Sequence, residues 1–282
     1  MSQTSNHAPG PEAEPLQPCV GVFDSGVGGL SVLRALHAAL PQARFVYVAD
    51  SAHAPYGERS NAYVLERSRR IASHLMAEGA AALVVACNTA TAVAIGQLRE
   101  AWPHLPVVGI EPGVKPAIAA TRNGRIGVMA TTATLASPKF RLLLDAQGNA
   151  KTVIVPRACP ELARLIEECQ FDAPALRLAI RQHCDALREL GVDTVVLGCT
   201  HYAFVREAIQ AEMGSEVQIV DTADAVARHA AARFAGVRHD AAATHIDPPR
   251  VRLQTTGGPA RLESIARAWL PFACSVERVA IA

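Results

Sequence analysis

Short apolar runs alternate with longer stretches of helical periodicity along most of this chain. The runs are rich in Val, Ile and Phe, and each ends at a glycine or a small polar residue. Such runs are typical of buried parallel strands, and their alternation with helices predicts βαβ units. The predicted strands are 19–23, 44–49, 83–86, 106–110, 125–130, 152–155, 195–197, 217–220, 251–256 and 274–279. The predicted helices are 30–40, 60–78, 89–101, 160–170, 174–190, 203–212, one beginning near 223, and 259–269.

The pattern restarts at the strand beginning with Arg125, which suggests two related units. Thr131 to Thr134 then occupy the place that Asp24 and Ser25 hold in the first unit, and Cys199 matches Cys87. The fold class expected is therefore α/β, with two related parallel-sheet domains and a cleft between them. The expected domains are 19–113 together with 224–282, and 114–223.

Two segments lack periodicity. Residues 1–18 are polar and Pro-rich and are expected to form a disordered tail, and residues 238–250 are expected to form a loop.

Composition narrows the class of protein. Half of the 282 residues are apolar and the formal net charge is +1, so a large core is expected and no basic excess suggests a nucleic-acid or membrane-surface partner. The seven cysteines are odd in number and scattered, and neither a signal-peptide core nor a transmembrane run is visible. We therefore expect a cytoplasmic protein with reduced thiols.

Two of the cysteines stand at special positions. Cys87 and Cys199 each follow a predicted buried strand and begin a polar cluster, Cys-Asn-Thr and Cys-Thr-His. Ligands of α/β proteins bind beyond the carboxyl ends of strands, and a helix start is expected to lower a thiol pKa. Neither cluster has zinc-ligand spacing, so no metal is expected. Buried cysteines are usually simple core residues, and this interpretation is kept for Cys19, Cys159, Cys169, Cys184 and Cys274.

Asp24 ends the first strand and opens a glycine-rich turn, Ser25 to Leu30. The turn lacks the order of a dinucleotide fingerprint and the lysine of a P-loop. From this stretch alone, Asp24 is as consistent with a helix N-cap as with a functional carboxylate. Similarly, Pro55-Tyr56-Gly57 alone is better explained as a turn.

Together, four motifs resemble the glutamate racemases of the cofactor-independent aspartate/glutamate racemase superfamily. The motifs are 24–30 (DSGVGGL), 55–57 (PYG), 87–91 (CNTAT) and 197–201 (LGCTH), and the resemblance covers about 19–270. It implies two pseudosymmetric α/β domains around a small closed pocket, interconversion of L- and D-glutamate without a cofactor, and delivery of D-glutamate to peptidoglycan.

The resemblance also implies catalytic roles. Cys87 would take the α-proton from D-glutamate and Cys199 from L-glutamate, with Asp24 assisting the former and His201 the latter. Family members use a further glutamate after an Ala-Cys-Pro motif, which carries over to Glu167, with Glu168 as the alternative. Arg164 stands where the family usually has proline, and this departure weakens that assignment.

Substrate contacts are likewise implied, by neutral donors suited to two carboxylates and an ammonium. The residues expected to bind glutamate are Asp24, Ser25, Tyr56, Gly57, Asn88, Thr89, Thr131, Thr134, Thr200 and His201.

The residue types fit a reaction without a cofactor. Inverting a stereocentre needs a base on one face of the α-carbon and an acid on the other, and a thiol can serve as either near neutral pH. A pyridoxal enzyme would need a Schiff-base lysine, and Lys115, Lys139 and Lys151 have no convincing context for one.

Three alternatives stay open. The chain could be an aspartate racemase, another superfamily enzyme that uses one or both thiols, or a non-catalytic two-domain binding protein. The expected partner is the small molecule glutamate, without nucleic acid or membrane. The oligomeric state is not fixed by the sequence, with a homodimer as one expectation.

Overall fold

The computed structural model describes residues 18–147, 152–237 and 250–282. The expected tail, apart from Pro18, lies outside these residues, as do the expected loop, apart from Arg250, and Lys151. None of the helices described is long and apolar enough to cross a membrane.

Ten strands form two separate parallel sheets in the described residues. The larger has the order β10-β9-β2-β1-β3-β4 and the smaller has the order β6-β5-β7-β8. The strands are β1 Cys19–Asp24, β2 Arg44–Ala49, β3 Ala82–Val85, β4 Val107–Gly109, β5 Arg125–Ala130, β6 Val153–Ala158, β7 Thr194–Leu197, β8 Gln218–Val220, β9 Val251–Thr255 and β10 Ser275–Arg278. The predicted α/β class with two parallel sheets is confirmed.

The two sheets repeat one connectivity. In the larger sheet β1 lies between β2 and β3, with β4 beyond β3; in the smaller, β5 lies between β6 and β7, with β8 beyond β7. Register follows the same plan, since Phe23 pairs with Val85 and Met129 with Leu197. As a result, β3 and β7, the strands that precede the two cysteines, hold equivalent places.

Helices cover both sheets. They are α1 Leu30–Ala39, α2 Asn61–Ala77, α3 Asn88–Ala101, α4 Val114–Ala120, α5 Thr132–Ala136, α6 Pro138–Gln147, α7 Leu162–Glu167, α8 Pro174–Glu189, α9 Arg206–Met213, α10 Ala223–Phe234 and α11 Pro259–Trp269. Three of them, α4, α5 and α6, are absent from the sequence prediction. The helix expected over 203–212 is also partly wrong, because residues Thr200–Val205 form a 3₁₀ helix and α9 begins only at Arg206.

The apolar core shows that the later helix α10 packs beside the larger sheet, together with α1. Leu30, Leu33 and Leu36 lie on one face of α1 and are fully buried with Phe234 of α10 in one apolar cluster. Burying each leucine contributes about 1.5–3 kcal/mol. We call the larger sheet with its helices the six-stranded unit, and the smaller sheet with its helices the four-stranded unit. The domain boundaries at 113/114 and 223/224 remain a prediction.

Candidate active site

Cys87 lies at the start of α3, directly beyond β3. Its side chain is the N-cap of that helix, because the backbone N–H of Ala90 donates to Cys87 Sγ at 3.5 Å. The thiol itself donates to Ser25 Oγ at 3.9 Å. The thiol is buried, with 4% of the residue exposed.

Burial dominates the acidity of Cys87. It raises the pKa of the thiol well above its ordinary value, and the negative charges of Asp24 and Cys199 raise it further, against a lowering hydrogen bond from Ala90. The helix start does lower this thiol pKa through the Ala90 N–H, as expected, but desolvation outweighs one N–H donor and the net shift is upward. At neutral pH Cys87 is a thiol, the form that can give a proton.

Cys199 has a different neighbourhood. Its Sγ lies 3.9 Å from His201 Nδ1, and His201 Nε2 lies 2.8 Å from Glu167 Oε2. Burial lowers the pKa of His201, but the hydrogen bonds with Cys199 and Glu167 and the nearby negative charges raise it more, so the pKa lies well above the ordinary value. His201 is therefore cationic at neutral pH. The Cys199 sulfur therefore has a cationic neighbour at 3.9 Å.

Asp24 connects the two thiol sites. Its carboxylate accepts hydrogen bonds from Ser25 Oγ at 3.0 Å and from Thr200 Oγ1 at 2.8 Å. Burial raises its pKa, although the charge of His201 and the Thr200 hydrogen bond lower it. Asp24 is not a helix N-cap, because α1 begins after Gly29 and has no side-chain cap.

Glu167 is the carboxylate beside His201, and Glu168 is not. Glu167 is 6% exposed and accepts from the Val27 backbone N–H and from Ser51 Oγ, both at 2.9 Å. Glu168 lies on the surface in an ion pair with Arg164. Arg164 points away from the pocket, so the departure from the family's proline leaves Glu167 in place.

The glycines of the turn allow close approach between the two units. A Cβ on Gly26 would lie 2.2 Å from Glu167 Oε2, and one on Gly28 would lie 2.4 Å from His201 Nδ1. Both distances are far below van der Waals contact. The turn therefore needs glycine because it packs against Glu167 and His201.

The expected substrate-binding threonines form a cluster across the cleft. Thr89 Oγ1 of α3 lies 3.0 Å from Thr131 Oγ1, which in turn donates to Thr134 Oγ1 at 2.9 Å. Gly57 packs onto the same cluster, since a Cβ there would lie 2.8 Å from Thr131 Cβ. Tyr56 is fully buried and donates to Asp50 at 2.6 Å. The structure thus brings the predicted residues of both units together.

Asn88 stands apart because neither its amide nitrogen nor its amide oxygen has a hydrogen-bond partner among the described residues, although it is only 4% exposed. Buried polar groups are nearly always partnered, so an orphaned amide indicates a place for a ligand. A cavity of about 10 Å³ between Asn88, Cys199 and Thr200 is large enough for one water molecule.

Three residues at this site were missed by the sequence analysis. Ser51 contacts Glu167; Tyr47 donates to the carbonyl of Gly26 at 2.6 Å; and Arg67 pairs with Asp50 through Nη2 at 2.9 Å. Asp50 and Ser51 follow β2 as Asp24 and Ser25 follow β1, so the strand-end argument could have found them. Tyr47 carries no such signal, because it lies within a strand.

Comparison with known proteins shows which family this chain resembles. The sequence model of the family described as Asp/Glu/Hydantoin racemase matches residues 28–230. A glutamate racemase of Ectopseudomonas mendocina is 52% identical over 209 residues, covering 74% of this chain and 79% of that protein.

Two solved structures are similar over nearly the whole chain. A glutamate racemase isoform of Bacillus anthracis has a TM-score of 0.82 at 33% identity, covering 94% of this chain and 98% of its own. The Escherichia coli glutamate racemase in complex with L-glutamate and the activator UDP-MurNAc-ala has a TM-score of 0.82 at 30% identity, covering 94% and 99%. The resemblance stated from the four motifs is confirmed.

Proposed function

The chain belongs to the Asp/Glu/hydantoin racemase family, and we propose that it is a glutamate racemase with two catalytic thiols. The observation that supports this most is the contrast between the thiols. Cys87 is held as a thiol by burial, and Cys199 lies beside a cationic His201. One acid and one base at equivalent strand ends are what inversion of a stereocentre requires.

In the L-to-D direction, the Cys199 thiolate removes the α-proton of L-glutamate, and the Cys87 thiol donates its proton to the opposite face. The reaction leaves Cys199 as a thiol and Cys87 as a thiolate, which is the state that accepts D-glutamate. No proton is gained or lost overall. Asp24 and the His201–Glu167 pair set the protonation of Cys87 and Cys199, respectively, and no cofactor takes part.

Substrate binding is assigned to neutral groups. The orphaned amide of Asn88 and the hydroxyls of Thr89, Thr131 and Thr134 are suited to the carboxylates and ammonium of glutamate. Ser25, Thr200 and the Tyr56-Gly57 turn complete the pocket wall. Neutral donors bind a dianion without adding a fixed charge that would favour one thiolate over the other.

The wider role follows from the product. We place the enzyme in the cytoplasm as a source of D-glutamate for peptidoglycan, with a homodimer as the proposed assembly. The E. coli relative's complex with UDP-MurNAc-ala is consistent with a connection to cell-wall precursors.

The decisive experiment is racemisation by the purified protein, followed by circular dichroism with L-glutamate and with L-aspartate. Cys87→Ser and Cys199→Ser are each expected to abolish racemisation, because each leaves one face of the α-carbon without an acid or base. Exchange of the α-proton with D₂O is expected to be the last activity to survive in these single variants.

A matched control is Cys184→Ala, which removes an equally buried thiol of α8 and should leave racemisation intact. Aspartate turnover without glutamate turnover would overturn the substrate. Full activity of either Cys87→Ser or Cys199→Ser would overturn the two-thiol mechanism.

A further inference from the structure

The groups that set the protonation of Cys199 are completed by donors from across the cleft. Cys199, His201 and Glu167 all belong to the four-stranded unit. Two of the three donors to the Glu167 carboxylate, the Val27 N–H and Ser51 Oγ, belong to the six-stranded unit.

The direct hydrogen-bond partners of Cys87 do not come from across the cleft. Both hydrogen-bond contacts of its sulfur, the hydroxyl of Ser25 and the N–H of Ala90, come from its own unit. The two thiols therefore differ in their direct partners. Those of Cys87 belong to its own unit, although Asp24 near it accepts one hydrogen bond from Thr200 of the other unit. The carboxylate behind Cys199 instead accepts two hydrogen bonds from the opposite unit.

Within the described residues, Ser51 is the hydrogen-bond partner of Glu167 Oε1, while Oε2 receives both Val27 and His201. A carboxylate held at both oxygens has a fixed plane. Fixing that plane keeps Oε2 aimed at His201 Nε2 at 2.8 Å, and through the ring it orients Nδ1 towards Cys199. Without the Ser51 hydroxyl, the carboxylate is free to rotate about its last bond.

The backbone at Ser51 is held in place by buried hydrogen bonds of the residues on either side. Ser51 directly follows Asp50, whose carboxylate accepts two hydrogen bonds from Arg67, at 3.0 and 2.9 Å, and one each from Tyr56 and Thr256. The next residue, Ala52, donates its N–H to Thr256 Oγ1 at 3.2 Å. These contacts fix the backbone on both sides of Ser51, and the hydrogen bond to Glu167 fixes its hydroxyl. Ser51 therefore has the geometry of a positioning group.

Building on the racemase function proposed above, we propose that Ser51 is a positioning residue for Cys199. By donating to Glu167 across the cleft, it aligns the Glu167–His201 pair when the units are closed, and so prepares Cys199, but not Cys87, for proton transfer.

The test must respect a constraint of racemases. Because enantiomers have equal free energy in water, kcat/KM is the same in both directions for every variant. An effect confined to one thiol therefore appears in the primary isotope effects, measured with glutamate deuterated at the α-carbon.

For Ser51→Ala we expect kcat/KM to fall about tenfold, the typical effect of losing one hydrogen bond to a charged group. Proton transfer at Cys199 becomes more rate-limiting. The isotope effect on kcat/KM should therefore rise for L-glutamate, whose C–D bond Cys199 breaks. It should fall for D-glutamate, whose C–D bond Cys87 breaks in a step that has become less limiting.

Ser51→Thr keeps the hydroxyl and should restore the wild-type isotope effects, and Ser51→Gly should repeat the pattern of Ser51→Ala. Ser68→Ala is the matched control, because it removes a buried hydroxyl that donates only to its own helix, at the Val64 carbonyl. It should leave both isotope effects unchanged.

Unchanged rates in Ser51→Ala, or isotope effects that move together for the two enantiomers, would overturn the role of Ser51. Absence of racemisation in the wild-type protein would instead overturn the proposed function, so the two failures are distinguishable.

Discussion

Asp24 illustrates how much a single buried charge depends on its position. The residue is fully buried, its two oxygens accept from Ser25 and Thr200, and burial still raises its pKa. Two neutral hydrogen bonds do not replace the hydration of a carboxylate. Asp24 is therefore retained at a cost to stability, which is the expected signature of a group that acts in the reaction.

We predict that Asp24→Asn removes this cost while lowering kcat. An unfolded aspartate ionises near pH 4. Because the native pKa is raised, the native protein binds more protons than the unfolded chain above that pH. Stability from this group is therefore present below about pH 4 and is lost as pH rises through the native pKa. Between pH 4 and pH 8, the unfolding temperature of the variant should rise relative to that of the wild type as pH rises. A difference that stays constant with pH would contradict the assignment.

The strand-end rule accounts for which residues could be found from the sequence. Cys87, Cys199, Asp24 and Asn88 were proposed because their positions after apolar runs can be read directly. Ser51 also follows a strand, so the same rule could have indicated its position. Its contact with Glu167 could not be predicted, because Glu167 lies far away in sequence. The direction of the Cys87 pKa was wrong because the helix start is visible locally, whereas burial is a property of the assembled core.

At the scale of elements, the turn between β1 and α1 is one of two parts of the six-stranded unit that contact the Glu167–His201 pair of the other unit, the second being Ser51. The Tyr47 hydroxyl holds the turn at the Gly26 carbonyl, and the turn presents the Val27 N–H to Glu167. Both contacts are made by backbone groups of the turn. The residues of the turn that lie against the other unit must therefore have small side chains.

We predict that Gly28→Ala lowers kcat at least tenfold in a folded protein. The added methyl would lie 2.4 Å from His201 Nδ1 and 2.7 Å from Thr200 Oγ1, so the His201 imidazole or the turn must shift. The matched control is Gly96→Ala in α3, where a Cβ meets nothing within 4 Å. That substitution should leave kcat unchanged and stabilise the helix by about 0.5–1 kcal/mol. Steady-state kinetics and thermal unfolding of both variants are the measurements. Wild-type kcat in Gly28→Ala would show that the contact is not needed.

Elements with strong periodicity were predicted closely. The prediction for β2 and for α11 matches their observed bounds, because each has a clear pattern and a clear start. Helices α4 and α5 were missed because they are short, and α4 also contains Pro116. Short helices of this kind leave little periodicity to detect. Helix α6 is ten residues long and begins at Pro138. Tertiary packing of Val114, Ala117 and Phe140 against the smaller sheet stabilises α4 and α6.

At the scale of the whole molecule, the two units share one connectivity, but they line the site with different residues. Each unit supplies one cysteine, yet Asp24 meets Thr200, and Ser51 meets Glu167, only because the units are in contact. The cavity of about 10 Å³ beside Cys199 has room for one water molecule. We therefore expect glutamate to enter when the units are further apart, and the contacts between the units to form again around it.

We predict that glutamate slows hydrogen exchange in the turn 24–30. The Val27 N–H donates across the cleft, so it is released whenever the units separate and protected when bound glutamate holds them together. The variant Cys87→Ala/Cys199→Ala allows each enantiomer to be measured without turnover. At a hundred times Kd, binding favours the native state by about 2.7 kcal/mol, so slower exchange should accompany a higher unfolding temperature.

Helix α8 is the internal control for this experiment. It packs within the four-stranded unit through Leu176, Ile180 and Leu187, so its exchange should change less than that of the turn. Adding Asn88→Ala should weaken the protection by both enantiomers, because the orphaned amide is assigned to the ligand. Equal slowing of the turn and α8 would indicate global stabilisation without closure. Protection that survives Asn88→Ala unchanged would remove the amide from the binding site.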